Sequence, residues 1–136
     1  GLCLFDLATS RLFAPPVAAL LDVGLLVWLT GALHLDGLGD AADGLYGLHT
    51  REKALAIMKD SRVGVMGLVA IVAALAIKWA GVYSLENHRA ILLIIVPAYA
   101  RGAMIFGVRF MDYGRPGGGT GHDLFGEPLP SSTWRT

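Results

Sequence analysis

The chain has 136 residues, 54% of them hydrophobic, and a mean hydropathy of +0.58, too apolar for an ordinary soluble domain and indicative of a membrane protein. Eleven basic residues balance eleven acidic ones, so no basic stripe tracks a phosphate backbone and nucleic acid is not an expected partner. The single cysteine, Cys3, excludes an internal disulfide and CxxC metal spacing.

Residues 1–12 mix Asp6 and Arg11 with apolar side chains and read as the end of an earlier span or an interfacial segment. Residues 13–33 carry one charge, Asp22. About twenty residues at 1.5 Å rise cross the ~30 Å hydrocarbon layer, so this is the first span, opened by Pro15-Pro16. A bare carboxylate in mid-span costs about 2.5–3.5 kcal/mol, and Asp22 is expected to hydrogen-bond to another span.

Directly after this span comes His34-Leu-Asp-Gly-Leu-Gly-Asp-Ala-Ala-Asp-Gly44. On a helix, offsets of four and seven from Asp36 bring Asp36, Asp40 and Asp43 within roughly 60° of one another. Such close anions repel unless a cation neutralises them. Carboxylate oxygens without Cys or convergent His favour Mg²⁺, or Mn²⁺ in its place. The glycines at 37, 39 and 44 lower helix propensity, which a helix tolerates where backbone or ligand approaches closely. His34 lies roughly 160° from Asp36 and is not expected at the same ion.

Residues 45–62 read as an amphipathic helix on the membrane surface or packed against the spans, with Thr50 as an N-cap candidate and an apolar stripe of Ala54, Leu55, Ile57 and Met58. Residues 63–83 form a second span, with Lys78 near enough to its far end to snorkel. Residues 90–108 form a third, kinked by Pro97 and carrying Arg101. Beyond Arg109 the chain is Gly- and Pro-rich loop. His49, His88 and His122 lack ligand spacing and are expected in solvated loops.

The expected architecture is therefore all-α: one polytopic transmembrane domain over residues 1–136, with spans at about 13–33, 63–83 and 90–108 and a motif region at 34–62. A chain opening on Gly1 and closing after a Pro-rich stretch is expected to be part of something longer. With three alternating spans, Arg51, Lys53, Lys59, Arg62, Arg109, Arg115 and Arg135 share one side, leaving Arg11, Arg89 and Lys78 opposite. The positive-inside rule then puts the motif in the cytoplasm.

Two chemistries fit an aspartate triad at a membrane edge. Carboxylate-held Mg²⁺ can clamp a diphosphate while an alcohol attacks phosphorus, with Lys59, Arg62 and Arg101 as phosphate partners and Asp60 as a further ligand or the base that takes the alcohol proton. Alternatively the triad is the ion site of a transporter or channel, with Asp22 and Arg101 along the path. The nearby cations favour the first.

The run Leu29-Thr-Gly-Ala-Leu-His-Leu-Asp-Gly-Leu-Gly-Asp-Ala-Ala-Asp-Gly44, then Arg51-Glu and Ile57-Met-Lys-Asp-Ser-Arg-Val-Gly64, resembles the cobalamin synthase family, the adenosylcobinamide-GDP ribazoletransferases. The apolar spans, Arg101 and the Tyr113-Gly-Arg-Pro116 turn fit more loosely, and the chain would cover the central part of such an enzyme. The resemblance implies a polytopic bacterial inner-membrane transferase, Mg²⁺-dependent, joining adenosylcobinamide-GDP to α-ribazole or its 5′-phosphate with release of GMP. It leaves room for a homo-oligomer in membrane lipid. Asp40-Ala-Ala-Asp43-Gly44 is also similar to the D-x-x-D-G start of CDP-alcohol lipid phosphotransferases, a second enzymatic alternative. Gly47-Leu48 stands where that family has an alanine-arginine pair, and its later metal-binding aspartate falls at Ser61.

Overall fold

The computed structural model describes residues 1–47, 49–60 and 62–110. Among them there is no strand, and six helices follow in chain order: α1 (Leu2–Leu12), α2 (Pro15–Leu29), α3 (Leu33–Leu45), α4 (Arg51–Ile57), α5 (Val65–Tyr83) and α6 (Arg89–Phe110). The protein is all-α and of the polytopic membrane class. Among the described residues α5 and α6 are long and apolar enough to cross a bilayer, and the bent pair α2 and α3 makes a third span if taken together. Val65, Val72, Ile77, Ile94 and Ile105 are exposed, a surface that suits lipid rather than water. The chain divides within α6 into two units, Gly1–Ile94 and Ile95 onward.

In the first unit α5 is the spine. Near its C-terminal end the Trp79 indole donates to the Pro16 carbonyl at 2.9 Å, tying down the opening turn of α2. Near its N-terminal end α3 packs so closely that a Cβ on Gly39 would stand 3.1 Å from Ile71 Cδ1 and 4.0 Å from Gly67 Cα. The motif glycine at 39 therefore serves helix-to-helix approach.

The first span does not run on into the motif as one helix. Thr30 folds its hydroxyl back to the Leu26 and Val27 carbonyls at 3.0 and 3.1 Å. Gly31 and Ala32 then both take left-handed backbone at φ +58°, and α3 leaves at 86° to α2. Left-handed geometry is open to glycine but costs alanine about 1–2 kcal/mol, so Ala32 is held there by the packing of the helices on either side. The fifteen residues of α2 are about 22 Å long, short of the ~30 Å layer.

The amphipathic helix expected over 45–62 is also shorter. Among the described residues of that stretch, α4 covers Arg51–Ile57; the Thr50 hydroxyl accepts the Lys53 N–H at 3.4 Å to open it. The Lys59 and Asp60 N–H groups bond three residues back, to Ala56 at 3.2 Å and Ile57 at 3.0 Å, and this tight turn ends the helix.

Asp22 is fully buried, and its partner is Arg89. The guanidinium Nη2 lies 3.0 Å from Asp22 Oδ2 and 2.7 Å from Asp6 Oδ1, and Nη1 donates to the Val82 carbonyl at 2.6 Å. Arg89, counted by the sequence among the charges on the side opposite the motif, turns inward to join α1, α2 and α6. Removing two carboxylates from water without a cation would be prohibitive.

In the second unit Arg101 is exposed, and its Nη1 donates to the Pro97 carbonyl one turn back at 3.3 Å. Arg115, Arg135, His122 and the 113–116 turn lie outside the described residues.

Candidate active site

All three motif aspartates fall on α3, so the helical spacing places them on one face. Asp36 is exposed in the first turn, where the positive end of the helix dipole favours an anion. Asp40 and Asp43 are half-buried. Asp43 reaches across to α5: its Oδ2 accepts the Gly64 N–H at 2.7 Å and its Oδ1 the Gly67 N–H at 2.7 Å. Gly64 is the N-cap residue of α5 and has no capping side chain of its own. Four N–H groups at a helix start lack intrahelical acceptors, and a carboxylate from another helix here satisfies two of them.

This contact brings two distant stretches together. Gly64 closes the run 57–64, and Met58 of the same run packs against α3 so tightly that a Cβ on Gly44 would come within 2.6 Å of Met58 Cγ and 3.0 Å of the Ala54 carbonyl. The C-terminal half of α3, the 58–64 connection and the start of α5 thus form one junction at the end of a membrane-length helix.

Asp60 and Arg62 lie on that connection and hold each other. Arg62 Nε and Nη2 donate to the two Asp60 oxygens at 3.0 and 2.7 Å, and the Arg62 N–H adds a bond at 3.1 Å. These bonds hold the Asp60 carboxyl below the ordinary carboxylate range and the Arg62 guanidinium above its own. Lys59 is exposed beside them. Of the residues singled out by sequence, Asp43, Lys59, Asp60 and Arg62 thus come to one junction with α3, whereas Arg101 belongs to the second unit.

Among the described residues no three His, Cys, Asp or Glu side chains form a group that could hold a metal ion, so Asp36, Asp40 and Asp43 share a helix face without closing into the three-carboxylate site expected from their spacing. A groove of about 850 Å³ along α2 and α5, with Leu20, Trp28, Val72 and Trp79 in its walls, is almost wholly apolar and offers no groups for polar chemistry.

Sequence reasoning overlooked Gly67 and Arg89. A Gly-x-x-Gly at the mouth of an apolar span signals close approach by something large, here the Asp43 carboxylate. Two acids in apolar sequence, Asp6 and Asp22, demand a base, and Arg89 heads the next apolar run.

A family model described as cobalamin-5-phosphate synthase matches residues 1–135. An adenosylcobinamide-GDP ribazoletransferase of Alkaliphilus metalliredigens is 44% identical over 119 residues, 87% of this chain and 47% of the relative. Its namesake in Geotalea daltonii is 46% identical over 90 residues, 66% of this chain and 36% of the relative. That of Polaromonas naphthalenivorans is 58% identical over 66 residues, 48% and 24% respectively. The chain thus spans about half the length, or less, of these curated relatives. No solved structure matches it. The match along nearly the whole chain agrees with the meeting of the 34–44 and 57–64 runs in space, and the chain belongs to the cobalamin-5-phosphate synthase family.

Proposed function

We propose that this chain is part of a Mg²⁺-dependent phosphotransferase that joins adenosylcobinamide-GDP to α-ribazole or its 5′-phosphate and releases GMP, in the last steps of cobalamin assembly. The observation that carries this reading is the junction itself: the C-terminal end of the acidic helix α3 meets, through Asp43 and Gly44, the run that carries Lys59, Asp60 and Arg62. The names of the relatives supply the substrates.

The acidic face suits Mg²⁺ by the chemistry of its donors, which are hard oxygens without nitrogen or sulfur. It does not need to be a closed cage, because Mg²⁺ commonly takes one or two carboxylates and completes its shell with water and substrate phosphate. Asp36 and Asp40, on the same helix face as Asp43, are the carboxylates assigned to contact it, and Mn²⁺ can take its place. Bound there, the ion supplies charge neutralisation for the diphosphate and for the charge that develops on transfer.

The ribazole 3′-hydroxyl attacks the phosphorus attached to cobinamide, a new P–O bond forms, and the bond to GMP breaks. Asp60 is the base assigned to the hydroxyl proton, and to reach it the carboxylate has to swing away from Arg62. Once released, Arg62 is placed with Lys59 to bind the phosphate oxygens through charge-assisted hydrogen bonds. Arg101 is assigned the same task. The site faces the cytoplasm of a bacterial inner membrane, where nucleotide substrates are found, and the enzyme works in lipid, with a homo-oligomer admitted.

The test is genetic. A strain lacking its own synthase and supplied with cobinamide should grow when given the gene that encodes this chain in its full length. Failure to grow despite normal amounts of protein in the membrane would remove the cobalamin assignment.

A further inference from the structure

Asp43 commits both of its carboxylate oxygens to the start of α5. Its two oxygens lie 2.7 Å from the Gly64 and Gly67 nitrogens. Both partners are glycine, and a Cβ on either would collide with the carboxylate itself. Three further contacts enclose the same spot: the Gly67 Cβ position lies 2.9 Å from the Gly39 carbonyl, Gly39 faces Ile71, and Gly44 faces Met58. The seat is shaped from both sides, by small residues on α3 and by a Gly-x-x-Gly opening on α5. A carboxylate with each oxygen on an amide at the positive end of a helix is in a stable electrostatic position of its own. Asp36 and Asp40 belong to the same helix face, and Asp36 is exposed.

We propose that Asp43 is a positioning residue: it caps α5 from α3 and so fixes the acidic face against the membrane span, leaving the cation to Asp36 and Asp40. The division of labour rests on the Mg²⁺ reading above, whereas the cap does not. With the cap in place, α3 cannot slide or rotate on α5 without exposing two amides at the mouth of a span, where replacement partners are few.

The experiment uses the protein in lipid nanodiscs, labelled with ¹⁵N-glycine, and reads amide hydrogen exchange, Mn²⁺ affinity and turnover per folded molecule. In Asp43→Ala, exchange at Gly64 and Gly67 should accelerate about ten- to a hundred-fold, as expected for loss of a charge-assisted hydrogen bond. Asp43→Asn keeps one acceptor oxygen and should fall between Ala and wild type. Mn²⁺ affinity should hold in Asp43→Asn and drop in Asp36→Asn and Asp40→Asn, whose Gly64 and Gly67 amides stay protected. Turnover in Asp43→Asn should fall through kcat with the apparent Mg²⁺ constant unchanged, a split that simple loss of stability would not produce. Gly67→Ala, which keeps every carboxylate, should reproduce the fast exchange at Gly64 and so covers the case of an Asp43 variant that does not fold.

Unchanged exchange at Gly64 and Gly67 in Asp43→Ala would overturn the cap. A loss of Mn²⁺ affinity in Asp43→Asn as large as in Asp40→Asn would overturn the division of labour. Absence of Mn²⁺ binding in the wild-type protein would remove the metal reading, while accelerated exchange in Asp43→Ala would still support the cap.

Discussion

Arg62 holds the Asp60 carboxylate in a two-pronged grip on an exposed turn, and this makes Asp60 a poorer base than a free aspartate. In the free enzyme, before the carboxylate swings away from Arg62, a depressed carboxyl stays ionised to lower pH, so the acid limb of the kcat/KM profile should lie below the ordinary aspartate value of about 3.9. Arg62→Gln removes the cause of the depression. The limb should move to higher pH, and a limb that stays in place would discharge Asp60 as the base. Arg101 answers to a different measurement. Arg101→Lys keeps the charge and loses the planar fork, so turnover should fall with yield of folded protein intact. Arg101→Ala should lower turnover by about ten- to a hundred-fold if the contact is made chiefly in the transition state. Arg89 should behave in the opposite way. Its loss strands Asp6 and the fully buried Asp22, a change of the kind that costs about 3–5 kcal/mol, so Arg89→Ala should lower the amount of folded protein recovered from membranes. Normal yield would mean the buried pair is not what joins α1, α2 and α6.

At the scale of the helices, the motif glycines divide by what stands opposite them. A Cβ on Gly37 meets nothing within 4 Å, so Gly37→Ala should raise thermal stability by up to about 1 kcal/mol through helix propensity alone. Gly44→Ala meets Met58 and the Ala54 carbonyl and should lower stability. Equal effects in thermal melts would contradict the packing described for α3. The sequence made α3 legible as a helix with its acids on one face, since that follows from spacing. It did not make the bend before α3 legible, because nothing local distinguishes Thr30-Gly31-Ala32 from a helix that continues. The left-handed pair is imposed by where α2 and α3 must both meet α5. The Asp43 cap was hidden for a related reason. A carboxylate looks alike in sequence whether it faces an ion or a helix end, and only the approach of Gly64 and Gly67 distinguishes the two.

At the scale of the whole molecule, hydropathy identified the class and the two long spans, because the ~30 Å layer fixes the length of an apolar helix. The short first span escaped it, since α2 and the start of α3 read as one apolar run. The proposed orientation rests on the cations around α4, and reporters test it directly: a fusion near His49 should read cytoplasmic and one near Glu86 exported. The reverse pattern would favour ion transport over use of a cytosolic nucleotide. The measurement closest to the central claim is GMP release from adenosylcobinamide-GDP and α-ribazole by the protein in nanodiscs, with Mg²⁺ present or chelated, for wild type and Asp40→Asn at equal amounts of folded protein. The account predicts release by wild type with Mg²⁺ and none on chelation or in Asp40→Asn; wild-type rates in Asp40→Asn would contradict the assignment of the α3 acidic face as the site of phosphotransfer.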